Sequence, residues 1–415
     1  MYLQLNKSKI NPFTSLTITG SKSESNRLLL LKALFNSLEL QNLSNSDDSQ
    51  YMVEALSTES DTVNVHHAGT AMRFLTAYFA TIEGKTTLLT GSQRMKERPI
   101  KILVDALIEL GADIEYTDQL GYPPLKIIGK RLLNEEVRMK ANVSSQYISA
   151  LLLIGSKLEK GLKLHLDGKI TSIPYIKMTL SLLEQIGVET SFEAHTIHVK
   201  PSLNNEPKIF SVESDWSSAS YFYSIIALSP IGTKVCLSTY KKNSLQGDAV
   251  LEEIYKQMGV ETIFNESKIC LEKINNNLPL SINIDLANAP DIAQTIVVTC
   301  LGLKIQCQLT GLHTLKIKET DRLEALKSEI YKFGTEINIT EDSLFLVEPK
   351  PLVAGARLKT FNDHRMAMAF APLGLLTSFI INEADVVSKS FPDFWKNLCT
   401  LGFNIDQYKN KRTNT

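Results

Sequence analysis

Apolar positions along this chain follow two alternating rhythms that recur several times. Near the start, Leu3 and Leu5 flank Gln4, and Leu16 and Ile18 flank Thr17, the period of two expected of strands. Further along, stretches with helical spacing run into an apolar residue, a glycine and a short alternating segment. This pattern occurs at Leu110-Gly111-Ala112, Ile186-Gly187-Val188, Met258-Gly259-Val260, Phe333-Gly334-Thr335 and Leu401-Gly402-Phe403. The glycines stand 76, 72, 75 and 68 residues apart. A glycine one place past a helix adopts the left-handed conformation that ends it. Five at similar spacing predict a repeated α/β unit of about 70 residues stacked around a shared core. Counting back one period from Gly111 places the end of a sixth unit where Leu56 to Asp61 has no glycine. That unit is expected to be shortened over residues 45–70.

At 415 residues the chain exceeds one ordinary core. The polar, strand-breaking stretch Pro201 to Pro207, then Val212 to Asp215, predicts a domain break near residue 214, ahead of a helix over Ser217 to Leu228. The expected lobes are 20–213, and 1–19 with 214–406, leaving 407–415 as a polar tail. Hydrophobic residues at 43% and charged residues at 21% are ordinary for a globular protein. No window is apolar for the roughly eighteen residues that a membrane helix needs. The first twenty residues lack the order of a signal peptide and the Arg-rich face of a transit peptide. Cys236, Cys270, Cys300, Cys307 and Cys399 are scattered, without C-x-x-C or ligand spacing to a His. They are expected to be core thiols in a reducing, cytoplasmic compartment, with neither disulfide nor structural metal. A net charge of −1 gives no bulk field for nucleic acid or membrane. Anion binding must therefore come from local clusters.

Such clusters exist, each at the start of a helical stretch. Gly20-Ser21-Lys22-Ser23-Glu24-Ser25-Asn26-Arg27 leads into Leu28 to Leu34, and Ala68-Gly69-Thr70-Ala71-Met72-Arg73 is a second glycine-led start. Arg94-Met95-Lys96-Glu97-Arg98-Pro99 puts three cations within five residues. Ser144-Ser145-Gln146-Tyr147 offers neutral donors, and Asp291 sits in Ala289-Pro290-Asp291-Ile292. Lys318-Glu319-Thr320-Asp321-Arg322 is expected to begin a helix, with Glu319 an acid or base held among cations. Asn362-Asp363-His364-Arg365 and then Lys389 complete the set. Any one of these reads equally as a capped, solvated helix start. A helix N-terminus also presents free N–H groups and the positive dipole end to an anion, and arginine forks suit phosphate and carboxylate oxygens. If the units direct their helix starts toward one cleft, these charges converge on anions.

Taken in order, these blocks resemble the 3-phosphoshikimate 1-carboxyvinyltransferase, or EPSP synthase, family of enolpyruvyl transferases. Ser172-Ile173-Pro174-Tyr175 and Asp215-Trp216-Ser217-Ser218-Ala219-Ser220-Tyr221 match as well, and the resemblance runs from about residue 20 to 395. It implies a two-domain inside-out α/β barrel of six βαβαββ-type repeats, helices buried and sheets outside. It also implies transfer of the enolpyruvyl group of phosphoenolpyruvate to the 5-hydroxyl of shikimate 3-phosphate, by a monomer without metal or organic cofactor. On this resemblance Lys22, Ser23, Arg27, Ser144, Ser145, Gln146, Ser172, Tyr175, Asp291 and Lys318 would bind shikimate 3-phosphate. Lys22, Gly69, Arg94, Gln146, Glu319, Arg322, His364, Arg365 and Lys389 would meet phosphoenolpyruvate. Asp291 would be the base, with Glu319 and Lys22 as proton donors or relays.

The chain departs from the family pattern at His67, where Asn is usual, at Phe74, where Pro is usual, and at Thr314, where an Asn often stands. Two rival readings follow. The sister transferase acting on UDP-N-acetylglucosamine commonly uses a Cys before the Arg cluster, and here no Cys precedes Cys236. A binding protein that lost catalysis has only the shortened unit in its favour.

Overall fold

The computed structural model describes residues 1–141, 144–168, 170–203 and 206–408. The chain divides into two compact units, one of Thr19–Glu213 and one of Met1–Ile18 with Ser214–Thr415. The first holds α1 (Lys22–Leu34), α2 (Asp47–Ser57), α3 (Gly69–Ala80), α4 (Gln93–Lys96), α5 (Lys101–Glu109), α6 (Ser145–Gly155) and α7 (Ile173–Gln185). The second holds α8 (Trp216–Ala227), α9 (Leu251–Lys256), α10 (Ala293–Leu303), α11 (Arg322–Tyr331), α12 (His364–Phe370) and α13 (Phe394–Leu401).

Among the described residues, five four-stranded sheets share one topology. In the sheet of Thr62–Asn64, that strand runs parallel to Thr86–Thr90, which pairs antiparallel with Leu125–Ile128, which pairs antiparallel with Asp113–Tyr116. The same order holds around Leu162–Asp167, Lys234–Ser238, Gln306–Thr310 and Phe379–Asn382. The sixth sheet is only the parallel pair of Leu38–Gln41 with Lys208–Ser211. It lacks the antiparallel hairpin, because the chain leaves α2 at Ser57 and goes straight to Thr62 of the next sheet. The fold is thus the six-repeat inside-out α/β barrel, with one repeat cut short.

The helix-ending glycines behave as their spacing requires: Gly111, Gly187, Gly259, Gly334 and Gly402 all have positive φ. At Gly259 a Cβ would meet the Asn275 carbonyl at 2.2 Å, so even a residue that tolerates the conformation would not fit. Each unit has its own hydrophobic core. Helices α3, α6, α8, α10 and α12 are buried almost all round, whereas α5, α7 and α13 bury one stripe and expose the other.

Two expectations are corrected. Cys236 and Cys270 form a disulfide. They lie 34 residues apart in sequence, but ladder register sets them directly opposite on neighbouring antiparallel strands with Cα atoms 4.0 Å apart. Cys300, Cys307 and Cys399 are free. Gln407 and Tyr408, assigned to a polar tail, instead belong to the strand Ile405–Tyr408 paired with Tyr2–Leu5, where the Tyr408 ring stacks on Tyr2 at 5.2 Å. Residues 409–415 lie outside the described residues. No helix among the described residues is long and apolar enough to cross a membrane.

The second core also encloses Lys273, whose ammonium donates to the Met258 carbonyl at 2.8 Å. Burial pushes this amine down to about 8. Between that value and the ordinary lysine range, the unfolded chain holds the proton and the folded one does not, so stability rises with pH there. Lys273→Met is expected to abolish this rise: the thermal midpoint of the native protein should gain on the variant's from pH 8 to about pH 10.5. Parallel midpoints across that interval would contradict the assignment.

Candidate active site

In the Thr19–Glu213 unit the helix starts are organised by one buried side chain. Arg27, one turn into α1 and 2% exposed, donates from Nε to Thr179 Oγ1 of α7 at 2.8 Å. Its Nη1 reaches the Ser23 carbonyl at 2.7 Å, and its Nη2 the Ser149 hydroxyl of α6 at 2.8 Å. The guanidinium also lies over the rings of Phe74 in α3 and Tyr175 in α7. Arg27 therefore ties the N-terminal halves of four helices together. Lys22, Ser23, Gly69, Ser145, Gln146 and Ser172 all sit at those starts. Gln146 Nε2 donates to Thr70 Oγ1 at 3.1 Å, linking the mouths of α6 and α3 directly. Ser144 caps α6 by accepting from the Gln146 N–H at 3.3 Å. Ser172, ahead of α7, holds a left-handed conformation at φ 53°, which turns the chain sharply into that helix.

Arg94 and Lys96 lie in the short helix α4, and Arg94 pairs with Glu97 at 3.1 Å while remaining half exposed. Arg98 folds back on α3: a Cβ at residue 69 would come within 2.6 Å of its Nη1, so glycine there is what lets a guanidinium approach the backbone. Arg73 is buried, donating to the Gly69 carbonyl at 3.0 Å, and supports the turn from inside. Phe74, a departure from the family pattern, packs as the surface under Arg27. His67 stands 3.7 Å from Asp47, edge-on to Tyr51.

In the unit containing Ser214–Thr415 the charges are buried against one another. Arg322 is 2% exposed and meets three carboxylates: Asp363 Oδ2 at 2.7 Å, Glu319 Oε2 at 2.8 Å and Asp291 Oδ1 at 2.9 Å. Asp291 also faces Lys318 at 3.4 Å and Arg365 at 3.3 Å, and its carbonyl accepts from Arg365 Nη1 at 3.1 Å. Burial alone would raise the Asp291 carboxyl, but Arg365, Lys318 and Arg322 together hold it well below the usual carboxylate range. Asp363, Glu319 and Asp291 hold Arg322 up against burial, and Asp291, with Tyr221, Asp248 and Asp215, does the same for Arg365. Burial pushes Lys318 down, and repulsion from Arg322 and Arg365 adds to that.

Residues 318–321 are not helical. Asp321 caps α11 by accepting from the Leu323 and Glu324 N–H groups, so the helix begins at Arg322. Lys318 is thus freed from the helix face and reaches Asp291. Asp291 itself lies in a 3-10 turn, Pro290–Ile292, ahead of α10. His364 and Arg365 open α12 behind the cap Asp363, which accepts from the Arg365 N–H at 2.9 Å. Lys389 donates to the carbonyl and side chain of Asn362 at 2.7 and 2.8 Å, one residue before that cap.

Asp291, Lys318, Glu319, Arg322 and Arg365 are thereby brought together in this unit, with Lys389 on the turn that leads into α12. Sequence reasoning treated Asp363 only as a cap, and it passed over Thr70, Thr179 and Ser149. Only their places on the helices that follow the quoted motifs could have pointed to them.

The family model of EPSP synthase (3-phosphoshikimate 1-carboxyvinyltransferase) matches residues 57–398. A 3-phosphoshikimate 1-carboxyvinyltransferase of Bacteroides fragilis is 46% identical over 94% of this chain and 96% of its own length. One from Mannheimia succiniciproducens is 35% identical over 92% and 95%. The solved EPSP synthase of Acinetobacter baumannii superposes with TM-score 0.78 at 20% identity, over 98% of this chain and 100% of that one. The enolpyruvyl transferase NikO of Streptomyces tendae superposes at 0.75 with 12% identity, over 98% of each. The chain belongs to the EPSP synthase family.

Arg27→Ala removes the hydrogen bonds of the Thr179 and Ser149 hydroxyls and the Ser23 carbonyl to the guanidinium. It is expected to destabilise the protein by about 3 kcal/mol. Arg27→Lys should recover less than half, because an ammonium cannot reproduce the fork. Calorimetric unfolding checks both, and an unchanged transition in Arg27→Ala would show that the helix starts do not depend on it.

Proposed function

We propose that this member of the EPSP synthase family transfers the 1-carboxyvinyl group of phosphoenolpyruvate to the 5-hydroxyl of shikimate 3-phosphate and releases phosphate. The reaction is a step toward chorismate and the aromatic amino acids, catalysed by a cytoplasmic monomer. The observation that carries the reading is Asp291 held by Lys318, Arg322 and Arg365, a carboxylate set in a group of cations suited to two phosphorylated acids.

Shikimate 3-phosphate is read by Lys22, Ser23, Arg27, Ser144, Ser145, Gln146, Ser172 and Tyr175, with Asp291 and Lys318 toward the reacting hydroxyl. Hydroxyls and an amide bond the sugar ring and phosphate without adding charge. Phosphoenolpyruvate is held by Lys22, Gly69, Arg94, Gln146, Glu319, Arg322, His364, Arg365 and Lys389. Arg94 exchanges Glu97 for the incoming anion.

In the first step the methylene of phosphoenolpyruvate gains a proton from Glu319 or Lys22 while its second carbon accepts the 5-hydroxyl oxygen, whose proton goes to Asp291. The tetrahedral adduct then expels phosphate as a proton leaves the new methyl group, restoring the double bond. Asp291 is a weak base while three cations grip it. Anions arriving on those cations loosen the grip, so its basicity increases when both substrates are bound. This couples proton abstraction to a filled site.

Phosphate release from phosphoenolpyruvate should depend on shikimate 3-phosphate and be absent with UDP-N-acetylglucosamine. The reverse pattern would transfer the chain to the sister activity. Asp291→Asn and Glu319→Gln are each expected to lower turnover by about 10²-fold or more with native circular dichroism. Native rates in both would remove the acid–base assignment.

A further inference from the structure

Asp248 is a buried carboxyl outside every motif considered so far. It lies in the 3-10 turn Gly247–Val250 ahead of α9 and is 4% exposed. Gln246 fixes that turn against the start of α8: its Nε2 donates to the Ser214 carbonyl at 2.9 Å, and its Oε1 accepts from the Trp216 N–H at 3.0 Å. Asp248 Oδ2 accepts a hydrogen bond from the Ser217 hydroxyl. Ser217 Oγ in turn accepts from Arg365 Nη2 at 3.3 Å. Asp248 Oδ1 is enclosed and has no hydrogen-bond partner among the described residues.

An enclosed carboxylate oxygen without a donor costs free energy that the protonated acid largely avoids. The groups facing this carboxyl are Asp215 at the N-cap of α8, Asp291 ahead of α10 and Arg365 in α12. Two like charges oppose its ionisation and one cation favours it. Burial pushes it up to about 7, with Asp291 adding to the rise and Arg365 resisting it. An anion seated on Arg365 cancels this favourable charge.

We propose that Asp248 is a positioning residue that holds Arg365 through Ser217 while the site is empty, and takes up a proton on Oδ1 when phosphoenolpyruvate settles on Arg365. The proton comes from solvent, and Oδ2 keeps accepting from Ser217 throughout. The proposal rests on the reading of Arg365 as a phosphoenolpyruvate ligand. Charge balance in the filled site is then maintained by a group that never touches the substrate.

The test is the KM for phosphoenolpyruvate from pH 6 to 9 at saturating shikimate 3-phosphate. In the native protein it should rise above pH 7, by up to about tenfold per pH unit where binding and protonation are coupled. Asp248→Asn keeps the shape and an acceptor for Ser217 but cannot titrate, and this component of the rise should vanish. Asp248→Ala also removes the acceptor and should raise KM at every pH, about five- to tenfold, a loss that the Asn variant restores. An Asn variant with the native pH profile would overturn the proposal. Should neither variant fold, titration calorimetry of phosphoenolpyruvate into the native protein at pH 7.5 decides. Heats in buffers of different ionisation enthalpy should reveal proton uptake beyond that of the ligand's own phosphate, and none would overturn it. Arg365→Ala with an unchanged KM for phosphoenolpyruvate would instead overturn the parent reading.

Discussion

A guanidinium taken out of water must be met by oxygen on every side, and each unit of this fold is arranged around one that is. Arg27 and Arg322 are both 2% exposed, yet they are met differently. Arg27 donates to hydroxyls and carbonyls, and burial lowers it to about 10. Arg322 is met by three carboxylates that hold it up. Neutral oxygens orient a cation without cancelling it, so the helix starts around Arg27 keep a positive field in addition to their own dipoles. In the other unit the cations are already matched, and an arriving anion must compete with Asp291 and Glu319 for them. One unit presents attraction and the other presents exchange.

Much of this was legible in the residues, and for a physical reason. A helix end followed by a strand requires a left-handed residue, glycine is the least strained choice there, and its recurrence marks the period of the fold. The missing glycine near residue 57 marked the shortened repeat, because a helix that leads into no hairpin needs no such turn. The charged starts were legible because an uncompensated cluster of cations on a neutral chain is unusual enough to stand out.

What stayed hidden was whatever depends on register or on the third dimension. Cys236 and Cys270 become partners only once two strands pair in one register of several. Lys318 and Arg322 have the spacing of neighbours on a helix, but Asp321 is a better cap than Lys318 is a helix start, and the local hydrogen bond wins. Gln407 and Tyr408 look polar enough to be tail, yet an edge strand needs only one half-buried row and a neighbour's free backbone. Arg73 and Arg98 belong to charged motifs that read alike in sequence. Only coordinates show that one props the turn from inside while the other lies on its outer surface.

The three carboxylates on Arg322 are not equivalent, and their inequality limits what each can do. Asp363 is fully buried, caps α12 and sits at 2.7 Å from Nε. Removing it would break a cap and an ion pair with no solvent to take their place. Asp291 and Glu319 have side chains 16% and 23% exposed, and each can gain or lose its cation to something arriving from outside. An inner carboxylate enclosed by the fold thus fixes the direction of Arg322, while the two outer ones stay within reach of solvent. Fixing the cation with a third anion is what allows the other two to be released from it. With Asp291 and Glu319 alone, Arg322 would follow whichever anion bound most strongly, and its side chain would lose its place as soon as a competing anion arrived.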